Sequence, residues 1–227
     1  MLYIGLLSGV VVGNMAAHAA GLDALRVYIA TMILIVPALA GARLLYVFAE
    51  WRLYRENLSS IWDRNVGGYI MYGGLPLALI CSVPLLRVLH LGFAAFWDVA
   101  ILTILVGMAF TRIGCLLNGC CGGRPSPSRF ALYLPNRRGA WEKRIPTQLL
   151  ESASAIVLFL IALAVRRSTP FPGALFLLVS LGYAMSRLLM EGVRERPQKA
   201  AGFNVAHVIS LIIVVLAVST LTIYWRK

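Results

Sequence analysis

The chain has 227 residues, 60% of them hydrophobic and only 13% charged, with a mean hydropathy of +0.81 and a net charge of +12. That charge content is about half of what a soluble domain carries, so the composition excludes an ordinary water-soluble enzyme and points to a membrane protein. All the basic residues except Lys143, Lys199 and Lys227 are arginine; guanidinium forks pair bidentately with phosphate, and in a chain of membrane composition that makes anionic lipid, and not nucleic acid, the expected partner.

A membrane helix needs roughly 20 mostly apolar residues. Runs of about that length fall at about 2–20, 25–49, 67–89, 92–114, 148–166, 170–190 and 203–224. They predict an all-α integral membrane protein of about seven transmembrane helices, a single domain over 1–227, with one larger extramembrane loop at about 115–147. The first run is not an obvious signal peptide, because it lacks a basic n-region and "AAHAAG" is a weak cleavage pattern. The second carries Arg43 in "AGARLLYVFAE". The third opens on "VGGYIMYGGLPLAL", residues 66–79, whose glycines allow either close helix packing or backbone amides turned to an anion. The fourth begins near Asp98 and ends in "TRIGCLLNGCCGGRPS", residues 111–126, which holds three of the four cysteines. In the sixth, Tyr183, Arg187, Glu191 and Arg194 stand at i, i+4, i+8 and i+11 and share a helical face.

Ionisable residues inside a membrane are functional candidates by default. Arg187 with Glu191 can be an interhelical ion pair with snorkelling arginines, or Arg187 and Arg112, each at a span end, can clamp one phosphate between helices.

In order along the chain these blocks resemble the prolipoprotein diacylglyceryl transferases. "RIGCLLNGCCGGR" is similar to that family's Arg-x-Gly-Asn-Phe-x-Asn-Gly-Glu-x-x-Gly-Arg, with Arg112, Gly114, Asn118, Gly119, Gly123 and Arg124 in register. "YGGL" from Tyr72 is similar to His-Gly-Gly-Leu, and "IPTQLLES" to His-Pro-Ser-Gln-Leu-Tyr-Glu, keeping Pro146, Gln148, Leu149 and Glu151. "GYAMSRLLMEGVR" supplies Arg187, Glu191 and Arg194; Tyr3 and Arg43 also fit. The departures fall on chemistry: Tyr72 and Ile145 replace histidines, Cys115 an asparagine and Cys120 a glutamate.

The resemblance implies a multi-pass protein of the bacterial inner membrane that moves a diacylglyceryl group from phosphatidylglycerol to the thiol of a lipoprotein precursor or another thiol acceptor. It implies no cofactor and no metal. Tyr72, Arg112, Arg187, Glu191, Cys115 and Cys120 are the expected catalytic residues. Tyr3, Arg43, Gly73, Gly74, Asn118, Gly123 and Arg194 are the expected lipid and phosphate ligands. Cys115, three residues after Arg112, is expected on its side of the helix as the more activated thiol. The cysteines admit four readings: a disulfide of Cys115 with Cys120, a zinc site despite the unusual C-x4-C-C spacing, a covalent intermediate, or small buried residues without chemistry. A non-catalytic lipid-binding or partner subunit, and a membrane thiol-redox protein, are the alternative functions.

Overall fold

The structure is a computed structural model, and it describes residues 1–55, 61, 71–136, 139–195, 199–200 and 203–225. The chain runs through α1 (Leu2–Ala19), α2 (Ala24–Ala49), the single turn α3 (Trp51–Tyr54), α4 (Met71–Val88), α5 (Phe93–Leu117), a hairpin of β1 (Leu132–Pro135) and β2 (Trp141–Arg144), α6 (Thr147–Val165), α7 (Ala174–Glu191) and α8 (Val205–Trp225). Each predicted apolar run contains a helix over its described residues; residues 67–70 of the third run lie outside them. Five of these (α2, α5, α6, α7 and α8) are long and apolar enough to cross a membrane over the described residues; α1 and α4 are apolar but shorter.

Helix α5 is the axis of the bundle. Phe96, Trp97, Val99, Ile101, Leu102 and Leu105 are buried along it, and α1, α4, α6 and α7 pack around it. The outward faces stay apolar: Leu7, Val36, Phe48 and Leu189 are all at least two-thirds exposed. In water such a surface would drive association, whereas against lipid tails it is the matched solvent.

Small residues set the helix spacing. Gly5, Gly9 and Gly13 form a four-residue repeat along α1 that lies on Phe110, Gly107 and Thr103 of α5. In the α2–α4 pair, a Cβ on Gly73 would strike the Gly41 carbonyl, one on Gly41 would strike the Gly73 carbonyl, and one on Gly74 would stand 2.6 Å from the Ala38 carbonyl. Of the two uses open to the glycines of residues 73–74, close helix packing is the one the geometry displays. Pro37, Pro76 and Pro84 all sit inside helices, as membrane helices tolerate. Asp23 caps α2 by accepting from the amides of Leu25 and Arg26.

Helix α5 continues to Leu117, just past the approximate boundary at 114. Its apolar and small residues carry the helix until Asn118–Gly119 stop it. The 115–147 segment is also not wholly loop, because Leu132–Pro135 pairs antiparallel with Trp141–Arg144. The fully buried Arg144 pins this hairpin: its Nε donates to the Gly123 carbonyl at 2.8 Å and its Nη2 lies 2.9 Å from Glu195.

Candidate functional site

Helix α6 has one charged residue, Glu151, in its first turns, and that carboxylate is 7% exposed. Three arginines from three segments converge on it. Arg112, near the end of α5, places Nε 2.5 Å from Oε2. Arg187, near the end of α7, places Nη1 3.3 Å from Oε1. Arg194, just beyond α7, holds the same Oε1 through its own Nη1. Arg187 also lies 3.7 Å from Glu191. Three guanidinium charges less the two carboxylates leave one net positive charge in a buried cluster. A guanidinium carries five donors in a fixed fork, so three of them gathered on one carboxylate make a donor-rich, positively charged cluster.

The backbone explains how Arg194 reaches the cluster from outside a helix. Gly123 donates to the Ile145 carbonyl at 2.9 Å and Arg124 to the Val193 carbonyl at 2.9 Å, which stitches the loop after α5, the entry to α6 and the exit of α7 together. A Cβ on Gly123 would stand 2.6 Å from the Val193 carbonyl and 2.9 Å from that of Ile145. Gly123 is therefore a wedge between the entry to α6 and the exit of α7, with its amide already committed to Ile145.

The cysteines are gathered by a helix cap. The Gly119 amide donates to Leu116 and the Cys120 amide to Cys115, both at 3.0 Å, with Gly119 at φ +67°. This is the Schellman arrangement, which folds the second residue past the helix end back over its last turn. Here the two residues brought together are Cys120 and Cys115. Cys121 then adopts φ +64°, a left-handed conformation that is uncommon for a residue with a side chain. The sulfurs of Cys115, Cys120 and Cys121 all lie within 4.8 Å of one another, and all four cysteines are free thiols. Two fully buried side chains of α6 hold the segment: Gln148 Nε2 donates to the Cys120 carbonyl at 2.6 Å and Thr147 Oγ1 to the Cys121 carbonyl at 2.9 Å.

Electrostatics join the two clusters. Arg112 lies within reach of Cys115, Cys121 and Tyr183. The Cys121 thiol is pushed down to about 5: a hydrogen bond from Cys115 is the chief cause, Cys120, Arg112 and Arg194 add to it, and burial opposes it. Cys120 is pushed up, first by burial and then by its neighbour Cys121. Cys121 is the sulfur that receives its neighbours' S–H groups.

Other expected site residues have their own surroundings. Asn118 caps α5 and its side chain hydrogen-bonds Cys120. Arg43 is buried, donates to the Ile61 carbonyl at 2.9 Å and lies over the rings of Tyr46 and Tyr54. Tyr3 is largely exposed near the start of α1, whose Met1 packs on Gly114 of α5. Tyr72 is in the first turn of α4, and its side chain lies outside the described residues. Asp98 is spent on architecture, accepting from the Gly173 and Phe176 amides that open α7. Sequence reasoning did not name Glu151, Thr147, Gln148 or Arg144 as site residues. Glu151 had a readable signal, since it is the one charge in an otherwise apolar span.

Comparison with known proteins gives the geometry a lineage. The family model for prolipoprotein diacylglyceryl transferase matches residues 1–223. A protein from Listeria innocua named phosphatidylglycerol–prolipoprotein diacylglyceryl transferase is 31% identical over 198 residues, which covers 83% of this chain and 70% of the relative. A protein of the same name from Dehalococcoides mccartyi is 32% identical over 201 residues, covering 87% of this chain and 76% of the relative. Matched over nearly its whole length, the chain belongs to the prolipoprotein diacylglyceryl transferase family.

Proposed function

We propose that this chain transfers the diacylglyceryl group of phosphatidylglycerol to a cysteine thiol, with a lipoprotein precursor as acceptor, the reaction for which its relatives are named. The observation that carries the proposal is the convergence of Arg112, Arg187 and Arg194 on Glu151 beside a cluster of thiols. The acceptor sulfur attacks the glyceryl carbon next to the phosphate. The new S–C bond replaces the C–O bond, and the electron pair leaves on glycerol phosphate. A net positive, water-poor cluster is suited to that step, since it holds the anionic headgroup and stabilises charge as the phosphate departs. Arg112, Arg187 and Arg194 are the phosphate ligands. Glu151 and Glu191 hold their guanidiniums in place, and Asn118 orders the loop. Tyr72 occupies the position of the family's base. A tyrosine of ordinary pKa, about 10, is a weak base for a thiol. The helices form seven membrane crossings of one domain in a bacterial inner membrane.

The test is the full chain purified in detergent, given phosphatidylglycerol and a cysteine-containing lipobox peptide, with products read by mass spectrometry. The expected outcome is a diacylglyceryl thioether and free glycerol phosphate, both lost in Arg187→Ala. Binding of phosphatidylglycerol without either product would overturn the transferase in favour of a non-catalytic lipid-binding protein.

A further inference from the structure

We propose that Cys115, Cys120 and Cys121 hold a zinc ion through their three sulfurs and leave its fourth position open to the acceptor thiol. This rests on the transferase reading for its purpose but not for its geometry.

The argument begins with distances. A zinc–sulfur bond of about 2.3 Å sets the sulfurs of a tetrahedral site about 3.8 Å apart. The three sulfurs already lie within 4.8 Å of one another, so closing them onto an ion needs side-chain adjustment and no new fold. The unusual sequence spacing is overcome by the helix cap, which returns Cys120 to Cys115, and by the left-handed Cys121. A strained conformation held by buried partners is a sign of a built site, and Thr147 and Gln148 are those partners.

The ligand count comes next. Structural zinc sites are closed by four protein ligands, whereas catalytic sites use three and keep one position for water or substrate. Among the described residues, no fourth histidine, cysteine, aspartate or glutamate joins the three cysteines. Glu151 is committed to arginines. Helix α1 runs antiparallel to α5, Met1 against Gly114 and Gly13 against Thr103, which places His18 at the opposite end of the bundle.

The chemistry supplies the reason. A thiol that coordinates zinc is deprotonated outright and remains a sulfur nucleophile. The metal therefore does the work of a base, in a chain whose sequence has tyrosine at the base position. The balance is simple: the acceptor thiol binds and releases its proton to solvent, its sulfur forms the bond to the glyceryl carbon, and glycerol phosphate leaves with the electron pair. No oxidant or reductant is needed. Three thiolates around Zn²⁺ carry one net negative charge, and the acceptor makes it two; the single surplus positive charge of the arginine cluster, whose Arg112 and Arg194 reach both Cys121 and Glu151, offsets part of it. The same two arginines set the bound sulfur beside the phosphate site. A covalent role for the cysteines is chemically worse: a diacylglyceryl group moved onto a protein sulfur would sit in a stable thioether, and the acceptor would have to expel a thiolate to recover it.

The experiment uses the reduced, full-length protein in detergent, stripped with chelator and titrated with Co²⁺ as a spectroscopic stand-in, then with Zn²⁺. One ion per chain is expected, with intense sulfur-to-cobalt absorption and tetrahedral ligand-field bands. These bands should shift on adding a peptide with one cysteine and stay still with its serine counterpart. C115S, C120S and C121S should each weaken zinc binding at least about tenfold, and C81S should not. Absence of zinc binding, binding of Cu⁺ alone, no response to the cysteine peptide, or unchanged affinity in the three serine variants would overturn the site. Full transfer by metal-free protein would overturn it and leave the transferase intact. Zinc and thiol binding without any product would instead uphold the site and sink the transferase.

Discussion

At each end of α5 a buried or half-buried carboxylate meets a neighbouring helix, and the two ends differ in what that carboxylate does. At the N-terminal end both oxygens of Asp98 are taken by backbone amides, Gly173 at 2.6 Å and Phe176 at 2.8 Å. Those donors are fixed parts of the opening turn of α7, which has no partners for them within its own helix. At the C-terminal end Glu151 is held by three side chains on separate segments, whose charges exceed its own. The first is a closed account of donors and acceptors. The second carries more positive than negative charge, held in a low dielectric where charge acts strongly. The carboxylate satisfied by backbone builds the fold, and the one gripped by convergent arginines is the centre of the proposed site.

The largest effect should come from breaking the second arrangement. Glu151→Gln removes the charge that holds three buried guanidiniums together. Stranding buried charge in this way costs about 3–5 kcal/mol, so the variant should unfold at markedly lower temperature in detergent and show no transfer. An unchanged unfolding temperature would mean that the arginines do not depend on Glu151, and the site would need another organiser.

Next come Arg112→Lys and Arg187→Lys. Each keeps the charge but loses the planar fork, and removing one donor to a developing oxyanion lowers turnover about 10²- to 10³-fold. Folding should survive, because lysine still faces Glu151. The check is the initial rate of thioether formation alongside size-exclusion behaviour. Equal rates in both lysine variants and the native protein would remove the fork from the mechanism.

Much of this contrast was legible in the sequence, and the rest was hidden for definite reasons. The apolar runs foretold the helices because lipid leaves the backbone no other partner. The ordered motif blocks foretold the family, and Arg112, Arg187 and Arg194 stand in those blocks. The β1–β2 hairpin was not visible: its strands have four residues each, and one ends in proline. Glu151 stood in a quoted block, yet its importance lies in where three other segments deliver their arginines, and a pattern along one helix does not contain that. The cysteine cluster was half readable. The three cysteines stand in one quoted stretch, but only the geometry of the helix cap turns a five-residue separation into contact between Cys115 and Cys120.

A smaller effect is expected away from both ends, at the glycine contact of α2 with α4. In Gly73→Ala the new methyl would strike the Gly41 carbonyl and crowd Leu45 Cβ at 2.5 Å. Backbone atoms cannot step aside as a side chain can, so the helices must separate, at about 1–3 kcal/mol. Gly21→Ala offers no comparison, since Gly21 has φ +70°; Gly107→Ala does, since a Cβ there, inside α5, meets nothing within 4 Å. Gly73→Ala should lower the unfolding temperature and Gly107→Ala should not.

The smallest effect tests the first arrangement itself. Asp98→Asn keeps one acceptor oxygen for the amides of α7 but turns an NH₂ group toward the other donor, and it removes the negative charge at the helix N-terminus. Losing a cap hydrogen bond and a helix-dipole interaction together costs about 1–2 kcal/mol. That loss should appear as a modest drop in unfolding temperature with the transfer rate unchanged, since Asp98 and the arginine cluster are at opposite ends of α5. The reverse pattern, full stability with impaired transfer, would place Asp98 in the chemistry and erase the distinction between the two ends. An intermediate result is also informative in kinetic form. If transfer falls only on warming, α7 is loosening from its Asp98 end and carrying Arg187 with it, so the two carboxylates are mechanically linked through one helix while remaining chemically distinct.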